Sequence, residues 1–152
     1  MMSKVRLLAM MLIAISALSG CNAQQKASGI LTYPQHWPLR QLTVPTGAQP
    51  AELLQHPGLQ YIDGDEFSSG SKTSFLFAVA FDSADSWTSI RSHILTCLSA
   101  DNYSVEEEIQ GRHLVLIRSD NKYTVELLRD KLPNNNNYEL YIWSEDRGSR
   151  NQ

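Results

Sequence analysis

Apolar residues along the chain fall into blocks of different period, and each period predicts an element. From Thr73 to Phe81 one alternate set is Phe75, Phe77, Val79 and Phe81, and the other is Leu76, Ala78 and Ala80. Both faces are apolar, the pattern of a central strand that needs cover on each side. The spacing then becomes helical: over residues 83–100, Trp87, Ile90, Ile94, Cys97 and Leu98 share one stripe, with Ser89, Ser92 and Ser99 opposite. Asp82 or Ser83 offers an N-cap oxygen, and Asp85 falls in the first turn, where the helix dipole favours an acid. Asn102 is suited to the left-handed backbone that ends a helix.

Four extended segments follow: Tyr103 to Ile109, His113 to Arg118, Tyr123 to Arg129 and Tyr138 to Glu145. Gly111, Asp120–Asn121 and the run Asn134 to Asn137 separate them, all residue types that tolerate tight reversals, so the segments predict a meander. Upstream, Gln60 to Asp63 reads as another strand, joined to Thr73 by a loop carrying Asp65, Ser68, Ser69, Gly70 and Ser71. Before it, Pro34, Pro38, Pro45, Pro50 and Pro57 rule out one long helix over residues 30–59. That stretch predicts an extended arm packed through Trp37, Leu39, Leu42 and Val44, with a turn at Thr46–Gly47 and a short helical turn near Ala51 to Gln55. The expected fold is α+β: one helix, about residues 83–100, on an antiparallel sheet of five or six strands, with a C-terminal four-strand meander and a proline-rich N-terminal arm. Residues 30–146 then form a single domain and residues 147–152 a polar tail.

The N-terminus carries a different signal. Lys4 and Arg6 precede an apolar run from Leu7 to Leu18, interrupted only by Ser16. This suits a signal peptide over residues 1–20 and is short for a membrane span. The next residues, Leu18-Ser19-Gly20-Cys21, resemble the lipobox of bacterial lipoproteins. The resemblance covers residues 1–22 and implies that Cys21 carries a diacylglyceryl thioether and becomes the first residue of the mature chain. Residues 21–29 are then a lipidated cysteine and a flexible tether. Several acyl chains hold a protein where one binds marginally. Asn22, in place of an Asp, implies the outer membrane of a diderm cell.

Composition agrees with a folded domain: 42% of the 152 residues are apolar and 9% aromatic, too many for a disordered polar chain. Without residues 1–20 the chain keeps 11 basic and 16 acidic side chains, a net charge of −5. No basic run remains to hold nucleic acid or an anionic lipid surface. With Cys21 acylated, Cys97 has no disulfide partner. A second, looser resemblance spans Leu42 to Trp143: Leu42-Thr-Val-Pro45-Thr-Gly47-Ala48, Val79-Ala-Phe81, Leu98 and Tyr103 are similar to a recurrent bacterial envelope domain. Such domains often have Gly-Trp after the helix where this chain has Asn102-Tyr103. The resemblance implies the strand, helix and meander order and no particular activity.

Candidate chemistry is sparse. His93 and Cys97, four apart on the predicted helix, can be a ligand or activating pair, or a core thiol beside a boundary imidazole; the stripe favours the second. Asp63, Asp65 and Glu66 can offer oxygens to calcium or form a solvated acidic turn. Glu106 to Glu108 suit a strand edge, with alternation placing Glu107 on the face of Val105 and Ile109. Ser69 and Lys72 fit a bare Ser-x-x-Lys string without its partner motifs. Tyr141 and Trp143 share one face of the last strand, either an aromatic docking surface or core beneath Trp37 and the arm. The resulting expectation is a non-catalytic envelope lipoprotein, held by its lipid anchor, with a tethering or accessory role toward a protein partner through the meander's edge strand. A module for a small envelope ligand is the alternative, and a hydrolase whose residues converge only in three dimensions is a third. No cofactor, metal or nucleic acid is expected.

Overall fold

The computed structural model describes residues 31–132 and 135–145. The leader, Cys21, the tether and the tail from residue 147 lie outside the described residues. The elements are β1 (Gln49–Pro50), β2 (Tyr61–Ser69), β3 (Lys72–Ser83), α1 (Trp87–Cys97), β4 (Tyr103–Ile109), β5 (His113–Arg118), β6 (Tyr123–Leu132) and β7 (Asn135–Ser144). They make one antiparallel sheet in the order β1-β3-β7-β6-β5-β4, with β2 also paired to β3. The α+β architecture and the meander of β4 to β7 match the expectation. Among the described residues the strand count is seven rather than five or six, because Gln49 and Pro50 pair with Asp82 and Phe81. Proline is tolerated at such a sheet edge.

Strand β3 sits deep because both of its faces are covered. Phe77, Val79 and Phe81 pack with Trp87, Ile90, Ile94 and Leu98 of the helix region and with Leu140 and Ile142 of β7. Each of these buried side chains contributes roughly 1.5–3 kcal/mol of transfer free energy. Trp37, Leu39 and Leu42 of the arm join this same core. The Trp37 indole N–H donates to the Leu42 carbonyl at 2.9 Å, and the Tyr33 hydroxyl accepts from the Val44 amide. His36 fastens the arm to β2: its amide donates to Asp63 Oδ1 at 2.9 Å and its Nδ1 lies 3.0 Å from Asp63 Oδ2.

Four local expectations are corrected. The helix starts at Trp87 under a Ser86 cap, whose Oγ accepts from the Ser89 amide at 3.2 Å, and it ends at Cys97. Asp82 and Ser83 belong to β3, whose ladder with β7 runs on to Ser83↔Asn136, and Asp85 precedes the cap. The asparagines 135–137 are strand, not loop, since Asp130↔Asn137 and Lys131↔Asn136 continue the β6–β7 ladder. Residues 51–55 form no helical turn; Leu53 bridges His56 instead.

The fourth correction concerns Asp65 to Ser69, which extend β2 rather than forming a loop. Gly64 makes this possible. It takes φ +83 at a shift of register between Asp63 and Asp65, so the strand continues past a bulge. A Cβ at Gly64 would lie 3.0 Å from the Phe77 ring. Gly70, with φ +63, then closes the hairpin to Lys72, as primed turns require.

Candidate functional site

The sheet face away from α1 is covered only in part. Leu53, Ile62, Leu76, Ala78, Ala80 and Tyr141 form a second core there. The cover is residues 51–60, a small closed loop in which the Leu53 amide donates to the Leu59 carbonyl at 2.8 Å and the Leu59 amide to the His56 carbonyl at 3.1 Å. Leu53 is fully buried beneath it. Trp37 packs on the opposite, helix-side core, so it does not cover Tyr141. Tyr141 is itself buried, which removes it as a docking residue; Trp143 is half-buried, with its ring edge-on to the exposed Phe67 at 5.5 Å.

A buried carboxylate pins the loop. Glu139, on β7 beside Tyr141, accepts the Leu54 amide at Oε1 and the Tyr141 hydroxyl at Oε2, the latter at 3.1 Å. Burial, with the negative charges of Glu139 and Glu126, pushes the Tyr141 hydroxyl pKa up, so the group stays protonated and a donor.

Next to this pin the loop and the β4–β5 turn flank an open cleft of about 420 Å³. Leu54 and Gln55 form one wall, Ile109, Arg112 and His113 the other, with Leu128, Arg129, Asp130 and Glu139 between. The size lies within the range of small-ligand pockets. His113 is held by Glu126, with Nε2 2.7 Å from Oε1, and its Nδ1 lies 3.6 Å from Glu107. Arg129 donates to Asn136 Oδ1 and to the Gly111 carbonyl. None of these side chains is singled out by sequence spacing. They meet through the registers His113↔Leu128 and Leu128↔Glu139.

The other candidates resolve locally. His93 and Cys97 do meet, Nε2 to Sγ at 3.5 Å, but the same Nε2 lies 2.8 Å from the Thr43 carbonyl oxygen. A carbonyl only accepts, so this nitrogen carries the proton and is no base for the thiol. Asp63 and Asp65 pair with Phe77 and Leu76, which face opposite sides of β3, so a strand rather than a calcium-type loop holds them. Among the described residues no group of three or more His, Cys, Asp and Glu is placed to hold a metal ion. Ser69 faces Lys72 across the hairpin turn. A register shift after Val105 puts Glu107 opposite Val115 and Val105 opposite Leu116, so Glu107 shares the face of Ile109 but not that of Val105. Glu108 instead takes a bidentate bond from Arg91 at 2.8 and 2.9 Å, which holds its pKa below the ordinary carboxylate value.

The β5–β6 turn contains the sharpest electrostatic feature. Arg118 donates twice to Asp120, at 2.8 and 2.6 Å, and the Lys122 amide adds a third bond at 3.0 Å. First the guanidinium and then this amide hold the Asp120 carboxyl at about 2. A depressed acid stabilises the fold above its unfolded pKa, and that contribution disappears as pH falls through the folded value near 2. Carbon-detected NMR titration of the carboxyl is expected to give this midpoint, and Arg118→Ala to return it toward an ordinary aspartate; an ordinary midpoint in the unmodified protein would refute the assignment.

Among the described residues no helix is long and apolar enough to cross a membrane. Comparison of the chain with protein-family models, with curated proteins and with solved structures finds no match in any of the three.

Proposed function

We propose that this chain is a non-catalytic lipoprotein of the cell envelope, anchored at Cys21, that supports a protein partner by strand addition along β4. One observation carries the docking part. Strand β4 ends the sheet, pairs only with β5 among the described strands, and is exposed at six of its seven positions. Such an edge offers unpaired backbone groups to an incoming strand. Val105 and Ile109, 46% and 40% exposed, supply apolar contacts on its two faces. The residence rests on Leu18-Ser19-Gly20-Cys21, and Asn22 favours the outer membrane.

Two measurements test the parts separately. Cys21→Ser is expected to move the protein from the membrane to the soluble fraction; continued membrane partition would remove the anchor. A photo-crosslinking side chain at Val105 or Ile109 is expected to capture one discrete envelope protein in cells. Glu106→Pro, which deletes a backbone donor at the bulged edge, should abolish that product while leaving the fold in place. Capture from Phe67 or Trp143 instead would transfer docking to the aromatic patch, and no capture from β4 would end the strand-addition reading.

A further inference from the structure

We infer that the cleft between residues 51–60 and the β4–β5 turn binds a short zwitterionic peptide, with its carboxylate on Arg112, its ammonium on Asp130 and its apolar side chains between Leu54, Leu128 and Ile109. Most of the charged side chains lining the cleft are already paired. Glu139 is satisfied by the Leu54 amide and the Tyr141 hydroxyl, His113 by Glu126, and Arg129 by Asn136 and Gly111. Two charged side chains lining the cleft remain: Arg112 and Asp130 have no side-chain partner among the described residues, and they carry opposite sign. A simple anion would face the carboxylates of Asp130 and Glu139, and a simple cation would face the guanidinium groups of Arg112 and Arg129. A ligand with both charges meets each with its complement.

The apolar lining completes the match. Leu54 is 45% exposed and Ile109 40%, on opposite walls, with the half-buried Leu128 between them. Aliphatic side chains between the ligand's two charged ends would remove this surface from water. The volume admits a peptide of a few residues rather than a folded partner. The cleft shares Ile109 with the end of β4, but Arg112 and Asp130 lie outside that strand and Val105 outside the cleft, so variants at Arg112 and Asp130 and crosslinking from Val105 let each reading fail without the other.

The test uses the full chain, ¹⁵N-labelled, titrated with leucylleucine, its C-terminal amide and its N-acetyl derivative. The free dipeptide is expected to produce saturable shifts at Leu54, Ile109, Arg112 and Asp130, and blocking either terminus to weaken binding about tenfold. Arg112→Gln should erase the preference over the amide alone, and Asp130→Asn the preference over the acetyl form alone. Absence of saturable shifts, equal binding of free and blocked dipeptides, or variants that keep both preferences would each overturn the proposal.

Discussion

Replacing Phe77 by alanine is expected to destabilise the protein by about 3–5 kcal/mol, the usual cost of deleting a fully buried aromatic ring. Phe77 has no exposed surface and lies in the helix-side core. It pairs with Asp63 on one flank and Ile142 on the other, so no nearby edge can collapse into the void. Its ring also packs over Gly64 at the bulge of β2. Urea denaturation should show a lower midpoint with little change in slope. Gly64→Ala provides a matched control, since its new methyl meets the same ring. In a Phe77→Leu background the steric part of its cost should fall while the part due to φ +83 persists. A Phe77→Ala variant as stable as the parent would place the core elsewhere.

The second large effect belongs to Glu139. Glu139→Ala removes the acceptor of both the Leu54 amide and the Tyr141 hydroxyl. Leaving a buried donor unsatisfied costs about 1–3 kcal/mol, so the pair is expected to lose about 2–4 kcal/mol after partial relaxation. The loss should be concentrated in residues 51–60, which Glu139 fastens to the sheet, and hydrogen exchange should rise there before it rises in β3. Glu139→Gln keeps one acceptor oxygen and should fall between the two. Uniform acceleration of exchange across the sheet would show that the loop has no separate stability.

How much of this was legible in the sequence depends on the range of the interaction that decides each feature. Strand β3 was readable as a run apolar on both faces, and the stripe Trp87, Ile90, Ile94 and Leu98 because its helical period follows one buried face. The helix start was not, since Ser83 and Ser86 are both competent caps. The choice falls to Ser86 because pairing with Asn136 keeps Ser83 in the strand. The asparagine run does not show as strand in the sequence for the same reason: ladder partners on β6 hold a weak strand former in place.

At the candidate site the alternation of Tyr141 and Trp143 did place them on one face, but not what covers it. Trp37 was the larger apolar group and the natural choice, yet its indole N–H is tied to Leu42 on the helix side, and Leu53 takes the position over Tyr141. The cleft left no local trace. Leu54, Ile109, Asp130 and Glu139 are far apart in the chain and meet only once the sheet registers are set. A carboxylate between Tyr138 and Leu140 on a strand apolar on both sides was the one available hint that β7 needs a buried polar partner.

The position of β7 between β3 and β6 has a consequence for how the sheet assembles. The strand that fills the middle of the sheet is the last of the described strands in chain order. Until Tyr138 to Ser144 dock, Phe77, Val79 and Phe81 lack their neighbours Leu140 and Ile142, and β3 presents a sticky open border. A chain in which β7 has not docked is therefore open to aggregation through β3, and the sheet closes only when β7 inserts.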